Sequence, residues 1–251
     1  ENILMASILA KGETKISNAA REPEIEDLSN CLIKMGAKIE GHGTKTILVQ
    51  GVTNLKKAEH EIIADRIVAG TYIIAALMLN SALEINNFNT IYLKSLIDIL
   101  KKMGAKLKVS KNSIKVFKGS KLKSSSLSTS PYPGFPTDLQ AQLMSLMCIS
   151  NGKSKIKETI FENRFMHVPE LNRLGANITV EKDTATIIGN QTFKGAQVMA
   201  SDLRASISLV LAAMNANGQT TLNRVYHLDR GYENIEKTLG SLGVKIKRQK
   251  N

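Results

Sequence analysis

The feature that most constrains this chain is a short motif that recurs four times. Each copy has an apolar residue, a glycine and a second small or apolar residue, and Gly36, Gly104, Gly175 and Gly243 lie 68, 71 and 68 residues apart. Each motif follows apolar residues at helical spacing and precedes an alternating pattern typical of a strand. A glycine at that junction fits a left-handed helix C-cap, where a side chain would be strained. The sequence therefore predicts an array of units of about 70 residues.

Each unit contains a second helical pattern, which an acidic residue opens in three of the four copies. Asp65, Asp138 and Asp202 stand at these predicted N-caps. Strand-like runs between the two helices cover residues 14–17, 83–85, 154–157 and 219–222. This order predicts the α/β class, with repeated βαβαββ units. The first copy lacks the extended segment that precedes the helix in the other three, so we expect the chain to be the C-terminal part of a longer polypeptide. A polar stretch before Ala64 suggests a domain boundary there.

Residues 131–142 would deliver one carboxylate to the start of a helix. Pro131, Pro133 and Pro136 keep the backbone stiff and extended. Asp138 follows, and apolar residues at helical spacing come after it. Two interpretations stay open, since Asp138 can be only a helix cap or can serve as an acid or base.

Three arginines are candidate anion ligands. Arg164, Arg204 and Arg230 lie near predicted junctions of the units, and Arg204 and Arg230 are expected near helix N-termini, which attract anions. A guanidinium grips a carboxylate or phosphate through two hydrogen bonds. The alternative is a local salt bridge, Arg164 with Glu162 or Arg230 with Glu233.

Other reactive side chains fit structural roles better. His167 and His227 have no second ligand at metal spacing, so neither a metal nor a cofactor is expected. Cys31 and Cys148 fall in apolar helical patterns and are predicted to be reduced core thiols, which suits a cytoplasmic protein. Residues 22–24, Glu-Pro-Glu, are predicted to form the acidic first turn of a helix.

The net charge of +12 raises the question of a nucleic-acid or membrane partner. The lysines are scattered and aromatic residues make up only 4% of the chain, so the stacking platforms of a single-strand binder are missing. The apolar run 73–79 is far shorter than the ~20 residues of a membrane span. We therefore expect no nucleic-acid or membrane partner, and a basic field that suits an anionic small substrate. The lysine- and serine-rich segment 119–130 is predicted to be a mobile loop.

Several long motifs, in order, resemble the UDP-N-acetylglucosamine 1-carboxyvinyltransferase family, the enolpyruvyl transferases of peptidoglycan synthesis. They cover residues 18–24, 136–142, 162–171, 202–206 and 227–233. The resemblance implies an inside-out α/β barrel, in which six units form two domains of three with the substrates bound between them. Residues 1–64 would be the last unit of the first, catalytic domain, and residues 65–251 the three units of the second domain.

The family transfers the enolpyruvyl group of phosphoenolpyruvate to the 3-hydroxyl of UDP-N-acetylglucosamine and releases phosphate. By resemblance, Asp138 matches the proposed general base, and Arg164 matches an arginine close to it. Arg204 and Arg230 match arginines around phosphoenolpyruvate. The positions that match the lining of the nucleotide-sugar site are Thr137, Ile160 and Phe161.

The family's N-terminal lysine-asparagine pair, its cysteine proton-donor loop and further arginines have no counterpart here. Cys31 and Cys148 match neither the loop nor its context. We therefore expect these groups in a missing N-terminal part of the polypeptide, and this chain alone is predicted to be inactive. Two alternatives stay open: the shikimate-pathway enolpyruvyl transferase, and a non-catalytic basic module that binds RNA or acidic lipid.

Overall fold

The four predicted glycine caps all form in the computed structural model, which describes residues 1–249. The glycines have φ angles between 93° and 101°. In every copy the residue after the glycine donates its N–H to the carbonyl of a leucine five residues earlier, which is the Schellman arrangement. These N–H···O pairs are Ala37–Leu32, Ala105–Leu100, Ala176–Leu171 and Val244–Leu239, at 2.9–3.0 Å.

The described residues form two units. The first unit contains residues 1–64 together with residues 131–134, and the second contains residues 65–130 and those from 135 onwards. The assignment of residues 1–64 to the end of a catalytic domain stays a prediction.

The first unit is one repeat with a small sheet. Its elements are α1 (Asn2–Ser7), β1 (Glu13–Ser17), α2 (Pro23–Lys34), β2 (Lys38–Glu40) and β3 (Thr46–Gln50). The strands pair antiparallel in the order β1-β3-β2. Leu4 from α1, Ile25 and Leu32 from α2, and Ile47 and Val49 from β3 fill the core between helices and sheet.

The second unit contains three repeats. The first comprises α3 (Arg66–Met78), β4 (Leu83–Asn86), α4 (Lys94–Lys102), β5 (Leu107–Val109) and β6 (Ser113–Val116). The second comprises β7 (Leu127–Ser128), α5 (Gln140–Ile149), β8 (Lys153–Lys157), α6 (Val168–Arg173), β9 (Asn177–Glu181) and β10 (Thr184–Ile188). The third comprises β11 (Gln197–Met199), α7 (Leu203–Met214), β12 (Thr221–Asn223) and α8 (Ile235–Ser241). Short 3-10 turns lie at Thr90–Leu93, Thr137–Leu139 and Val225–Arg230.

The helices α3, α5 and α7 form the inside of the second unit, and its sheets lie outside them. Helix α5 packs against both α3 and α7, and its residues from Gln140 to Cys148 are all buried. The sheets have the orders β4-β6-β5, β7-β8-β10-β9 and β11-β12. The parallel pairs β7–β8 and β11–β12 each enclose one of these helices as a crossover. Helices inside and strands outside are the predicted inside-out arrangement.

Two parts of the repeat prediction are wrong. No strand precedes α3, since residues 51–65 form no regular element. No strand pair follows α8 within the described residues. The segment 119–130 contains β7, and the N–H groups of Lys123 and Ser124 donate to neighbouring backbone, while its predicted mobility stays a prediction. Strand pairing depends on partners distant in sequence, which a local pattern does not reveal.

Candidate active site

Asp138 does not cap a helix, which corrects one of its two predicted roles. The turn Thr137–Leu139 is a 3-10 helix that begins after Pro136, so α5 begins only at Gln140. The carboxylates of Asp65 and Asp202, by contrast, do cap their helices. Asp65 accepts backbone N–H groups at 2.7 and 3.0 Å, and Asp202 at 2.8 and 3.0 Å. The carboxylate of Asp138 is therefore free of α5 and available to side chains.

Two arginines hold the Asp138 carboxylate, one on each oxygen. Arg164 Nη2 donates to Oδ1 at 2.7 Å, and Arg204 Nη2 donates to Oδ2 at 2.7 Å. The side chains of Asp138, Arg164 and Arg204 are 39%, 23% and 19% exposed, so the cluster is partly shielded from solvent. The partner of Arg164 is thus Asp138 and not Glu162.

The two arginines determine the charge state of Asp138. Burial alone would raise the pKa of its carboxyl group, but the hydrogen bond and charge of Arg204, with the charges of Arg164 and Arg66, lower it below its ordinary value. Burial would lower the pKa of Arg204, and the hydrogen bond to Asp138 raises it instead. Asp138 and Arg204 are therefore both ionised at neutral pH.

Local structure explains how these side chains meet. Arg204 is the second residue of α7, where the Asp202 cap orients the first turn. Arg164 lies in the segment between β8 and α6, and its guanidinium carbon lies 5.0 Å from the centre of the Phe161 ring. The turn bearing Asp138 is held against α3 at Gly70, where an added Cβ would lie 2.8 Å from a Leu139 methyl.

The three residues predicted to line a nucleotide-sugar site converge on Glu158. Thr137 Oγ1 donates to Glu158 Oε2 at 2.9 Å. The backbone N–H groups of Ile160 and Phe161 point to Glu158 Oε1 at 2.9 and 3.3 Å. The Ile160 and Phe161 side chains are 37% and 54% exposed, which leaves an open apolar surface beside Arg164.

Arg230 is not part of this contact network. It ends the 3-10 turn Val225–Arg230, five residues before α8, so its predicted position near a helix N-terminus is wrong. Its side chain is exposed and makes no ion pair within residues 1–249, including the predicted one to Glu233. The next residue, Gly231, packs on Leu203, where an added Cβ would lie 3.0 Å from a methyl carbon. The Arg230 segment therefore lies against the first turn of α7, next to Arg204.

A family model provides the deciding comparison. The model for EPSP synthase (3-phosphoshikimate 1-carboxyvinyltransferase) matches residues 1–239. The chain belongs to the EPSP synthase family.

Relatives within the EPSP synthase family are similar over nearly the whole chain. One is named UDP-N-acetylglucosamine 1-carboxyvinyltransferase, from Pelagibacter ubique, and is 52% identical over 248 residues, 99% of this chain and 60% of its own length. A protein of the same name from Azorhizobium caulinodans is 54% identical over 246 residues, 98% of this chain and 57% of its own length. The chain thus spans about 60% of the relatives that it matches.

Solved structures confirm the family fold. The enolpyruvyl transferase NikO from Streptomyces tendae is similar with a TM-score of 0.88 at 28% identity, over 98% of this chain and 58% of that one. An EPSP synthase from Acinetobacter baumannii has a TM-score of 0.75 at 19% identity, over 99% of this chain and 60% of that one, which shows the fold alone. The predicted enolpyruvyl transferase fold is therefore confirmed.

Sequence reasoning missed three side chains around this EPSP synthase family site. Arg66 is buried and its charge helps lower the pKa of Asp138. Tyr232 is buried, and its hydroxyl lies 2.8 Å from Thr71 Oγ1. The third is Glu158. The Asp-Arg pair at residues 65–66 was a usable signal, since Asp202 and Arg204 show a similar pairing at the start of α7. Tyr232 lies in the motif 227–233, which assigns it no role, and Glu158 carries no local pattern.

The remaining candidates behave as structural residues of an EPSP synthase family fold. Burial, assisted by the charge of Arg164, lowers the pKa of His167 to about 4, although Asp202 opposes this, so the ring is neutral at pH 7. Cys148 is fully buried and burial raises the pKa of its thiol to about 12, while Cys31 is half-buried and also unpaired. His227 stacks on Tyr226 at 4.2 Å between ring centres. Residues 22–24 form the acidic start of α2, as predicted.

No group of three or more His, Cys, Asp or Glu side chains in residues 1–249 is arranged to hold a metal ion. None of the helices in that range combines the length and the apolar character that crossing a bilayer requires.

Proposed function

We propose that this chain forms part of an enolpyruvyl transferase that acts on phosphoenolpyruvate and UDP-N-acetylglucosamine. The reaction forms a bond between the sugar 3-hydroxyl oxygen and the enolpyruvyl group, and inorganic phosphate leaves. It would serve peptidoglycan precursor synthesis, and thus cell shape and division. The observation that carries the proposal is one carboxylate, Asp138, held between Arg164 and Arg204 in a chain 52–54% identical to relatives that bear this enzyme's name.

Asp138 is the proposed general base for the sugar hydroxyl. The reaction removes a proton from that hydroxyl and delivers one to the enol carbon, and loss of a proton from that carbon as phosphate leaves restores the double bond. A base must be ionised when the substrate arrives, and the low pKa of Asp138 meets that condition. Two arginine N–H groups, however, occupy its oxygens in this state and weaken its basicity.

An anionic substrate would reduce this effect of the arginines on the basicity of Asp138. The phosphate and carboxylate of phosphoenolpyruvate are ligands for which arginine forks are suited. We infer that Arg204 and Arg164 transfer part of their hydrogen bonding from Asp138 to the substrate. Loss of a cationic partner raises the pKa of a carboxyl group, so the base would become stronger as the anion binds. Arg230, exposed beside the first turn of α7, would add positive charge for the same anion.

The nucleotide sugar would bind next to this cluster. Ile160 and Phe161 expose apolar surface, and Thr137 immediately precedes Asp138. An apolar surface next to a few fixed polar groups is the composition expected of such a site. The hydroxyl to be activated would then lie within reach of Asp138.

The proposed enzyme includes parts beyond this chain. The relatives are longer, and the lysine-asparagine pair and the cysteine proton-donor loop implied by the resemblance match no segment here. We infer that a further N-terminal part of the polypeptide supplies them. The cytoplasmic location suggested by the free cysteines stays a prediction.

The test is phosphate release by the polypeptide that the source gene encodes. With phosphoenolpyruvate present, we expect release that depends on UDP-N-acetylglucosamine. Release that proceeds with shikimate 3-phosphate and not with the nucleotide sugar would contradict the proposal.

The second candidate is the shikimate-pathway reaction, favoured by the name of the matching family model. It shares the fold and the anion ligands and differs in the acceptor. The two relatives at 52% and 54% identity bear the nucleotide-sugar name, whereas the EPSP synthase structure is only 19% identical. Comparing UDP-N-acetylglucosamine with shikimate 3-phosphate as the acceptor in the same assay decides between the two reactions.

A further inference from the structure

Glu158 is a buried carboxylate with no cationic partner among the described residues. It is 4% exposed and directly follows β8. Its oxygens accept four hydrogen bonds, all from neutral donors. Oε1 accepts from Thr129 Oγ1 at 2.8 Å and from the backbone N–H groups of Ile160 at 2.9 Å and Phe161 at 3.3 Å. Oε2 accepts from Thr137 Oγ1 at 2.9 Å.

This set of donors allows the carboxylate to be buried. An isolated buried charge is unfavourable unless hydrogen bonds replace the lost water. Thr129 is itself fixed, because it accepts the Thr159 N–H at 2.8 Å and its carbonyl accepts the Thr159 hydroxyl at 2.6 Å. The Glu158 carboxylate contacts Thr129 and Thr137 on one side and the N–H groups of residues 160–161 on the other. Because these donors lie in two segments, the contacts depend on the length of the Glu158 side chain.

The contacts close a ring around the candidate base. Glu158 holds Thr137, whose neighbour Asp138 accepts from Arg164. Arg164 lies over the Phe161 ring, and the Phe161 N–H returns to Glu158. One side of the ring is the turn before α5 and the other is the segment between β8 and α6. Glu158 joins these two segments, through the Thr137 hydroxyl on one side and the Ile160 and Phe161 N–H groups on the other.

We propose that Glu158 is a positioning residue that fixes Asp138 relative to Arg164 through Thr137 and the residue 160–161 amides. It acts through the length of its side chain and not through its charge, since none of its four donors is charged. The link to catalysis rests on the proposed function, whereas the positioning itself does not.

Two substitutions distinguish the effect of side-chain length from the effect of charge. Glu158→Gln keeps the length: its carbonyl oxygen can accept from Thr129 and the two amides, and its amide can donate to Thr137 Oγ1. Glu158→Asp keeps the charge but is one methylene shorter, so it cannot reach both segments. Glu181→Gln, at an exposed position of β9, is the matched control for loss of a carboxylate.

The first measurement uses this 251-residue chain. Amide hydrogen exchange reports the Ile160 and Phe161 N–H groups, and a carbon-13 NMR titration reports the Asp138 carboxyl. In Glu158→Asp we expect exchange at these two amides to be at least about tenfold faster and the pKa of Asp138 to rise. Glu158→Gln and Glu181→Gln should resemble the unsubstituted chain. Loss of amide protection and of the low Asp138 pKa in Glu158→Gln would overturn the proposal, and so would full retention of both in Glu158→Asp.

A third substitution keeps the test decisive if Glu158→Asp fails to fold. Thr137→Val has nearly the same volume and removes only the link to Oε2. We expect the pKa of Asp138 to rise while the Ile160 and Phe161 amides stay protected. An unchanged Asp138 titration in this variant would contradict the proposal.

The second measurement is turnover by the encoded polypeptide. We expect kcat to fall about tenfold or more in Glu158→Asp and to recover in Glu158→Gln, because small misplacements of reacting groups are costly. Absence of turnover in the unsubstituted protein would count against the proposed function alone, since exchange and titration still test the positioning. A normal kcat in Glu158→Asp but not in Glu158→Gln would overturn the role assigned to side-chain length.

Discussion

At the scale of single residues, the same amino acid has different roles at similar positions of the repeats. Asp65 and Asp202 cap helices, whereas Asp138 binds Arg164 and Arg204. The difference comes from the 3-10 turn after Pro136, which moves the N-cap of α5 one residue on, from Asp138 to Leu139. Sequence patterns identified all three aspartates but did not distinguish their roles, because the turn type depends on packing against α3.

Replacing Arg204 should weaken the acidity of Asp138. In Arg204→Met, the raising effect of burial is opposed only by the charges of Arg164 and Arg66, so we expect the pKa of Asp138 to rise. A carbon-13 NMR titration of the carboxyl measures it. The control is Arg173→Met, which removes an exposed arginine 3.8 Å from Glu170 and should leave Asp138 unchanged. An unaltered Asp138 titration in Arg204→Met would show that the ion pair does not set its charge state.

His167 should make the stability of the chain fall in mild acid. Its pKa is about 4 in the folded chain against an ordinary value of 6.5, so between these values the unfolded chain binds a proton that the native ring does not. The free energy of unfolding should therefore decrease as pH falls through that window, by up to about 1.4 kcal/mol per pH unit from this residue.

Urea unfolding of the chain and of His167→Gln measures that contribution. The slope with pH should be shallower in the variant between pH 6.5 and 4. Above about pH 7.5 the two slopes should agree, because an ordinary histidine is then neutral in both states. Equal slopes in the acid window would show that His167 is not buried neutral.

At the scale of elements, the helix caps were predictable and the strand pairs were not. A Schellman cap is determined by a few consecutive residues, so the glycines at residues 36, 104, 175 and 243 identified all four. Strand β7 is two residues long and forms only because β8 lies beside it. The repeats of α3 and α8 lack strands that the repeat rule predicted, since no partner within residues 1–249 pairs with those segments.

Two glycines of the last helical repeat should respond to alanine in opposite directions. Gly243 has a φ of 93° and Gly240 lies inside α8, and neither has an atom within 4 Å of an added Cβ. Gly243→Ala should reduce the free energy of unfolding by roughly 1–2 kcal/mol through backbone strain. Gly240→Ala should increase it by roughly 0.5–1 kcal/mol through helix propensity. Urea denaturation measures both. Destabilisation in Gly240→Ala would contradict its place inside α8, and unchanged stability in Gly243→Ala would contradict the cap assignment.

At the scale of the whole molecule, the candidate site combines segments far apart in sequence. Arg164 and Arg204 lie 26 and 66 residues from Asp138, and both reach it at 2.7 Å. Spacing alone did not imply this meeting, whereas the resemblance placed Arg164 close to Asp138 and assigned Arg204 to the anionic substrate. Glu158 was found by neither route, because a residue that holds others through hydrogen bonds leaves no periodic signal.

We predict that the 251-residue chain alone releases no phosphate from phosphoenolpyruvate and UDP-N-acetylglucosamine. It spans about 60% of its relatives, and the proton-donor loop implied by the resemblance matches none of it. A coupled phosphate assay measures this, with the encoded polypeptide as the positive control. Turnover by the chain alone would show that its own residues deliver the proton to carbon.

The most direct test of the proposed role of Asp138 is single-turnover phosphate release by the encoded polypeptide carrying Asp138→Asn. Asp183→Asn, which removes an exposed carboxylate paired with Lys157, is the matched control. We predict a loss of at least about 100-fold in the rate for Asp138→Asn, the size expected for a general base. Binding of UDP-N-acetylglucosamine should persist and the control should be unaffected. A rate for Asp138→Asn close to that of the control would contradict the assignment of Asp138 as the base.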